Sequence, residues 1–362
     1  MENNGNSAKR LASIDVLRGF DMFFIMGGGA IIISFCKMFN AGWVRALGAQ
    51  FRHAAWNGFT VEDMIFPLFL FIAGISFPFS FAKSVERGAS LARVRLNILK
   101  RCAILVVFGV IYNNGVSFDF HNMRFYSVLG RIGLAWACAA MLYTMFSARV
   151  RLAVAAAIPL VYWLISSLGD FTVENNMVAV VDRALSIGVL YEKVFDPEGL
   201  LSTLPAVSTA MLGIFAGEIV RREDFCEFKK VGALLAVAAA LIAIGLLWDN
   251  VLPLNKKLWT SSYVCVAGGI SYALFGVFYL VIDALKIRFW TFFFTVIGMN
   301  SITVYMAQKI IDFYKVRDFF FKGAVVEFVP DDWRKFALAV CYSMTVWAFL
   351  YILYRRKIFL KI

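Results

Sequence analysis

Residues 52–74 read RHAAWNGFTVEDMIFPLFLFIAG, and they pass from a polar loop into an apolar run. The polar part contains His53, one of only two histidines in the chain, followed by Trp56, Asn57 and Asp63. The apolar part continues to residue 82, and roughly 20 apolar residues are enough to cross the hydrocarbon core of a bilayer. The stretch therefore predicts a transmembrane helix that begins next to a group of polar side chains.

The composition of the whole chain indicates a membrane protein. Of its 362 residues, 61% are hydrophobic and only 17% are charged, whereas a soluble domain needs more charge to cover its surface. The net charge of +12 does not indicate nucleic-acid binding, because the basic residues occur in short runs between apolar segments. No polar domain or long linker interrupts the pattern, so we expect one transmembrane domain over residues 1–362.

Ten segments are long and apolar enough to span a bilayer, at residues 14–36, 60–82, 98–117, 125–146, 150–168, 200–220, 231–248, 260–282, 289–308 and 335–354. The period-two alternation of membrane β-barrels is absent, so helices are the structures that satisfy the backbone in lipid. We therefore predict an all-α fold, a polytopic membrane helical bundle of about ten transmembrane helices.

The distribution of Lys and Arg predicts the orientation of the bundle. One set of loops is rich in basic residues, at positions 9–10, 83–101, 149–151, 221–230, 286–288 and 355–357. The opposite set is close to neutral. Because basic loops stay on the cytoplasmic side, we expect both termini to be cytoplasmic and residues 53–57 to lie in or above the external half of the membrane.

Ionisable residues inside spans are costly, about 2.5–3.5 kcal/mol each on insertion scales, and are therefore candidates for function. The first span carries SIDVLRGFD, in which Asp15 and Arg18 can pair on one helix face and Asp21 follows. A structural ion pair and part of a polar lining are both open interpretations. Arg131, in LGRIGLAW, has no acidic neighbour in sequence and needs an anion such as Asp63 or a ligand oxygen.

Three further segments are more polar than a lipid-facing helix requires. FDPEGLLSTLP predicts a helix start, with Pro205 breaking the first turn. LPLNKKLWTSSY places Asn255 and Lys256 at a helix end, either as ligand-binding residues or, with Trp259, as an interfacial anchor. GMNSITVY places Asn300 and Ser301 in a span, as helix-packing or cavity-lining residues. One external-facing cavity is the simplest account of these segments.

Four further sets of residues are assigned no role in a site. His121, in SFDFHNMRF with Asp119 and Arg124, is expected in a solvated loop, and Glu62 is expected to face the membrane interface. The six cysteines are scattered and form no metal-ligand spacing, so no metal site is expected. Gly27, Gly28 and Gly29 form no phosphate-binding fingerprint and are expected to allow close helix packing.

Six blocks in this order carry a resemblance to a known family: RLASIDVLRGFD, HAAWNGFTVEDMIFPLFLFIAG, LGRIGLAW, FDPEGLLSTLPAVSTAMLGIFAGE, LPLNKKLWTSSYV and GMNSITVY. They occur between residues 10 and 305, and together they resemble the heparan-α-glucosaminide N-acetyltransferase family, including its bacterial relatives. The resemblance implies an acetyl-CoA-dependent N-acetyltransferase of the inner (plasma) membrane. It also implies an amino-sugar or glycan acceptor on the external side, acetyl-CoA as the donor substrate, and a possible homodimer.

The same resemblance places the catalytic histidine at His53. It extends with less detail to Asn57, Asp63, Arg131, Asn255, Lys256 and Asn300. A histidine suits the removal of a proton from an amine, and Asp63 either orients it or binds the acceptor amine. Two chemical routes stay open, direct transfer and a transiently acetylated His53. N-acetylation and O-acetylation also stay open, as does the alternative of a transporter for a small polar solute.

Overall fold

The computed structural model describes residues 11–115, 119, 122–186 and 188–360. Within these residues the regular structure is helical, as predicted, and Arg124 and Gly188 form an isolated β-bridge. The α-helices are, in chain order, α1 Ala12–Phe23, α2 Gly29–Cys36, α3 Gly42–Ala49, α4 Ile65–Glu86, α5 Leu91–Asn114, α6 Val128–Met145, α7 Ala148–Ser166, α8 Met177–Leu185, α9 Leu200–Arg221, α10 Glu227–Asp249, α11 Ser261–Tyr279, α12 Thr291–Gly298, α13 Ser301–Ile310, α14 Phe313–Arg317, α15 Gly323–Phe328 and α16 Asp331–Arg355.

Eight helical segments of the described chain are long and apolar enough to cross a membrane. They are Ala12–Cys36, Val61–Glu86, Val128–Met145, Ala148–Ser166, Leu200–Arg221, Glu227–Asp249, Ser261–Ala284 and Asp331–Arg355. The first, second and seventh include short 3₁₀ or π-helical turns next to an α-helix. The prediction of a polytopic helical membrane protein is confirmed, with eight such segments where about ten were expected.

The third and ninth predicted spans account for the difference. α5 is 24 residues long, but its first half carries Arg93, Arg95, Lys100 and Arg101, so it lacks the apolar length of the other spans. The prediction of one continuous span over residues 289–308 is wrong, because α12 ends at Gly298 and α13 starts at Ser301. Asn300 lies between them at φ −127° and ψ 28°, outside helical geometry, and asparagine favours the position before a helix over its interior.

The first span is also interrupted. Gly27 lies between α1 and α2 at φ +116°, a backbone conformation that glycine adopts readily and other residues adopt rarely. A Cβ atom at this position would lie 3.1 Å from the Tyr342 ring and 3.3 Å from the Ser343 hydroxyl. The three glycines were expected to allow close packing; at Gly27 the close neighbour is α16, and the residue also turns the chain.

The described contacts divide the chain into two compact units. The larger unit comprises Phe66–Lys286 and the residues up to Ile14. In it α4 and α9 touch through their backbones, since a Cβ atom on Gly74 would lie 2.2 Å from the Ala210 carbonyl oxygen and one on Gly213 would lie 2.1 Å from that of Phe71. Small residues that allow such approaches are typical of helix packing in membranes.

The smaller unit comprises Asp15–Ile65 and Ile287–Ile362. Here α1 crosses α12 at Gly19 and Gly298, and a Cβ atom on Gly298 would lie 2.0 Å from the Asp15 carbonyl oxygen. α2 packs on α3 and α16. The ring of Phe293 stacks on Trp347 of α16, with centroids 5.6 Å apart. One domain over residues 1–362 stays a prediction.

Candidate functional site

Two of the predicted site residues, His53 and Asp63, are in direct contact. The Nδ1 atom of His53 lies 2.9 Å from Oδ1 of Asp63. Asp63 belongs to the 3₁₀ turn Val61–Met64 that leads into α4, and its side chain is only 1% exposed. Of the two roles open to Asp63, this hydrogen bond supports the one in which it orients the imidazole.

The second oxygen of Asp63 is held by the loop around it. Oδ2 accepts hydrogen bonds from the backbone N–H of Ala54 at 3.2 Å, the backbone N–H of Thr60 at 3.3 Å and the Thr60 hydroxyl at 2.9 Å. Thr60 and Asp63 together form a capping box at the start of the turn. The carboxylate is therefore fixed by four hydrogen bonds before any ligand binds.

The imidazole of His53 lies on the open side of this arrangement. Its side chain is 60% exposed, in contrast to the buried carboxylate behind it. A carboxylate that accepts a hydrogen bond from Nδ1–H leaves the lone pair of the neutral ring on Nε2. This geometry gives His53 an accessible basic nitrogen in a fixed orientation, which is what a general base requires.

Three other residues that the sequence analysis discussed lie close to His53 and Asp63 in sequence. Trp56 is half-buried and Asn57 is exposed. Glu62 is half-buried, and its Oε2 lies 3.3 Å from the position of a Cβ atom on Gly29, at the start of α2. Glu62 therefore lies against the start of α2, and its position at the membrane interface stays a prediction.

The polar residues of α1 separate into a pair and a single carboxylate. The predicted pairing of Asp15 with Arg18 is confirmed, with Oδ1 and Nη1 3.5 Å apart. Asp21 is 1% exposed, and neither of its oxygens has a hydrogen-bond partner within the described part of the chain. Asp21 therefore does not share the ion pair.

Asn300 and Ser301 lie at the break between α12 and α13. Both are buried, at 2% and 7% exposure. Neither polar atom of the Asn300 side chain has a partner among the residues that the structure describes. The span that was expected to carry them is therefore interrupted at Asn300, and their roles in helix packing or in lining a cavity stay predictions.

Arg131, in the larger unit, is held by the segment that precedes α9. Its Nη2 donates to the Pro197 carbonyl and the Ser202 hydroxyl. The side chain is buried, and its guanidinium lies 4.9 Å from the centre of the Trp259 ring. The nearby carboxylates of Glu198 and Asp196 act on it electrostatically. Its Nε has no hydrogen-bond partner within the described residues.

Trp259 is a residue whose place the sequence did not reveal. Its side chain is fully buried, and its Nε1–H donates to the Thr209 hydroxyl at 3.2 Å. The interpretation of Trp259 as an interfacial anchor is therefore wrong. Its φ of +54° is unusual for a bulky residue, and such backbone strain is held by surrounding contacts.

Asn255 and Lys256 lie in the loop that leads to Trp259. The Asn255 side-chain oxygen accepts a hydrogen bond from the backbone N–H of Leu258 at 3.0 Å, and the backbone N–H of Asn255 donates to the Thr260 hydroxyl at 3.1 Å. These bonds shape the loop. Lys256 is half-buried. The structure thus joins Arg131 to this loop through the ring of Trp259.

A buried charge cluster of the larger unit also escaped the sequence analysis. Arg124, expected in a solvated loop, makes two 2.7 Å hydrogen bonds to Asp196 and a further one to Glu198. The backbone N–H of Asp196 donates to Asp182 at 2.9 Å. Burial raises the pKa of Glu198 and raises that of Asp182 from 3.8 to about 6. The DPEG segment is thus a helix start, as predicted, and also half of an ion-pair cluster.

Two further points of the sequence analysis concern His121 and metal ligands. His121 lies outside the described residues. The described residues contain no group of three or more His, Cys, Asp and Glu side chains placed to hold a metal ion.

The sequence was compared with known families and proteins. The family described as heparan-alpha-glucosaminide N-acetyltransferase, catalytic, matches residues 10–247 of this chain. The chain belongs to this family. The matched part of this chain includes His53, Asp63 and Arg131. The other predicted site residues Asn255, Lys256, Asn300 and Ser301 follow it in sequence.

Two family relatives match almost the whole chain. The heparan-alpha-glucosaminide N-acetyltransferase of Homo sapiens is 28% identical over 98% of this chain and 60% of its own length. That of Mus musculus is 26% identical over 100% of this chain and 62% of its own length. The chain therefore spans about three-fifths of the relatives that it matches.

Proposed function

We propose that this protein is a transmembrane acetyltransferase that moves the acetyl group of acetyl-CoA to the amine of an amino sugar. The observation that carries the proposal is the exposed imidazole of His53 held by the buried, fully engaged carboxylate of Asp63. Membership of a family described by N-acetyltransferase activity supports the reaction class. The amino-sugar acceptor rests on the names of the relatives.

In the proposed reaction the free amine attacks the thioester carbonyl carbon while His53 Nε2 removes its proton. The C–N bond forms and the C–S bond breaks, and the imidazolium returns the proton to the departing thiolate. Positioned acid–base catalysis of this kind contributes roughly 10²–10⁴-fold to a rate. Asp63 positions the ring and stabilises the imidazolium, as a carboxylate partner does in other triads and dyads.

Two features of the catalytic cycle follow from this assignment. Amide groups such as that of Asn57 are suited to stabilise the oxyanion of the tetrahedral intermediate. A direct transfer needs one chemical step, whereas acetylation of His53 itself would need two. Roles in binding the donor or the acceptor stay predictions for seven residues: Trp56, Asn57, Arg131, Asn255, Lys256, Asn300 and Ser301.

The proposed topology delivers the two substrates from opposite sides. With the basic loops cytoplasmic, acetyl-CoA enters from the cytoplasm and the acceptor from the external side. We place the protein in the inner (plasma) membrane of a bacterium, with both termini cytoplasmic and a homodimer as the candidate assembly.

The decisive test uses the purified full chain in detergent with acetyl-CoA labelled in the acetyl group. Label is followed into glucosamine and related amino sugars for the wild type, His53→Ala and, as a control, Arg52→Ala, which changes an exposed neighbour in the same loop. Acceptor labelling that vanishes in His53→Ala and persists in Arg52→Ala supports the proposal. Transfer by His53→Ala at saturating donor and acceptor contradicts it. Label retained on the wild-type protein without acceptor identifies the two-step route.

A transporter of a small polar solute is the second candidate, and the interrupted helices favour it. Breaks at Gly27 and at Asn300 resemble the discontinuous helices that line transporter sites. Uptake of labelled amino sugars into proteoliposomes without acetyl-CoA would support this candidate. Acetyl transfer without net uptake would exclude it.

A further inference from the structure

The short helix α3 lies between the end of the first span and the loop that carries His53. Its residues Val44 and Gly48 are buried, and a Cβ atom on Gly48 would lie 2.9 Å from that of Cys36. Cys36 is the last residue of the first candidate span. α3 therefore packs on the very end of a helical segment that is long and apolar enough to cross the bilayer.

Four exposed apolar side chains follow one another in this region at intervals of four residues. Phe35, in the last turn of α2, is exposed, and its ring centroid lies 5.1 Å from that of Phe39. Trp43 and Leu47 lie one turn apart on α3, and Trp43 is 75% exposed. Side chains one turn apart lie on the same side of a helix. An exposed apolar surface thus begins inside the span and continues on α3.

The polar residues of this region are suited to lipid headgroups. Lys37 follows the last residue of α2, and Arg45 is an exposed residue of α3 that donates to the Asn40 carbonyl at 2.8 Å. The sequence has no Asp or Glu between Asp21 and Glu62. A helix that combines exposed Trp and Leu with basic residues lies in the plane of the membrane interface, where phosphate groups attract its cations. The headgroup layer of the bilayer fits both properties of this surface.

α3 is joined to the loop around His53 by hydrogen bonds as well as by the chain. The carbonyl of Gln50, at the C-terminal end of α3, accepts a hydrogen bond from the backbone N–H of Glu62 at 3.0 Å. The Arg52 carbonyl accepts one from the Thr60 hydroxyl at 2.8 Å. His53 follows Gln50 by three residues, a distance of at most about 10 Å along the backbone. The position of α3 relative to the bilayer therefore also sets that of His53.

We propose that α3 lies in the membrane interface and holds His53 at the level of the lipid headgroups, where the acceptor is an amino sugar anchored to the membrane by a lipid. The inference rests on the proposed acetyltransferase function and topology, which place this end of the first span on the external side. A lipid anchor confines the acceptor amine to the layer in which His53 lies. Such confinement raises the effective concentration of the acceptor above that of a free sugar.

The position of α3 is tested without acetyl transfer. The full chain is placed in lipid nanodiscs that contain lipids brominated near the glycerol end of the acyl chain, which quench nearby tryptophans. Wild type and Trp43→Phe are compared. The wild type should lose more fluorescence to these lipids than Trp43→Phe does, because Trp43 lies at their depth. Equal loss in the two proteins overturns the position of α3.

The acceptor is tested with acetyl-CoA labelled in the acetyl group, using free glucosamine and glucosamine linked to diacylglycerol in the same nanodiscs. The wild type should acetylate the lipid-linked sugar faster. The double variant Trp43→Ser with Leu47→Ser keeps the buried residues of α3. Its turnover of the lipid-linked sugar should fall on the order of tenfold, since small misplacement of a reacting group is costly. Its turnover of free glucosamine should stay within about twofold of wild type.

The matched control is Phe228→Ser with Phe289→Ser, which removes two exposed aromatic side chains from the basic loops. It should change neither rate. Faster wild-type transfer to free glucosamine than to the lipid-linked sugar refutes the inference and leaves the proposed function standing. An equal loss on both acceptors in the α3 variant, or its conversion of a dimer into monomers, also refutes it. If the wild type acetylates neither sugar, the proposed function fails and the inferred acceptor fails with it, while the fluorescence experiment still decides the position of α3.

Discussion

The surroundings of His53 and those of Arg131 differ in how much of the functional candidate they leave exposed. His53 is 60% exposed and is held through one nitrogen by a buried carboxylate. Arg131 is buried, with Pro197 and Ser202 at one nitrogen and Trp259 under its guanidinium plane. The first arrangement leaves a reactive atom accessible. The second fixes a charge and ties two loops together.

This difference in exposure predicts whether a substitution in each region changes mainly activity or mainly stability. An exposed side chain contributes little to stability, whereas truncation of a buried charged group leaves its partners unsatisfied. Substitutions of the exposed His53 side chain should therefore change activity at nearly constant stability. Variants of the charge cluster next to Arg131 should change stability first.

The largest expected effect is on activity, in Asp63→Asn. An amide cannot stabilise the imidazolium and can donate its N–H to the imidazole, which favours the wrong tautomer. Transfer from acetyl-CoA should fall roughly 10²–10⁴-fold, with a smaller change in acetyl-CoA binding. Steady-state kinetics and donor binding measured on the same preparation test this. Near-wild-type turnover would show that His53 does not depend on its partner.

The next largest effect is on stability, in Arg124→Ala. The substitution removes two hydrogen bonds to Asp196, a fully buried carboxylate, and one to Glu198. Removing one partner of a buried ion pair costs about 3–5 kcal/mol. Thermal unfolding in detergent should show a clear fall in midpoint. Arg222→Ala is the control, because its pair with Asp224 is exposed to solvent and its loss should leave the midpoint nearly unchanged.

A smaller effect is expected on the pH dependence of stability, through the protonation of Asp182. Because burial raises its pKa from 3.8 to about 6, the folded state holds a proton that the unfolded state releases. This stabilisation is full below pH 4 and is lost as the pH rises through 6. It amounts to at most about 3 kcal/mol. Unfolding midpoints between pH 4 and 7 should fall in the wild type and stay flatter in Asp182→Asn.

The smallest effect is the stability change of His53→Gln. The side chain is largely exposed, so the free energy of unfolding should change by no more than about 0.5 kcal/mol. The same variant should have lost most of its activity. A destabilisation comparable to that of Arg124→Ala would show that the two regions do not differ as described.

Some of these features follow from local sequence, and others do not. Apolar length and composition predict the helical membrane fold. His53 and Asp63 are ten residues apart in one loop, so their proximity follows from the short turn that joins them. By contrast, Arg124 meets Asp196 across 72 residues, and nothing local distinguishes it from a solvated arginine.

The helix breaks were equally hidden from the sequence. Hydropathy measures apolar length and does not detect a change of backbone conformation within it. Trp259 illustrates the same limit, since an aromatic residue next to two lysines is typical of a membrane interface. Its burial depends on Arg131 and Phe66, which come from distant parts of the chain.

The interruption at Gly27 has a consequence for the biogenesis of the protein. Neither α1, with 12 residues, nor α2, with 8, is long enough to cross a bilayer, so the insertion machinery has to recognise them as one segment. The turn between them is packed by Tyr342 and Ser343 of α16, which is synthesised later than α1 and α2. The segment formed by α1 and α2 therefore attains its final shape only after α16 has been synthesised.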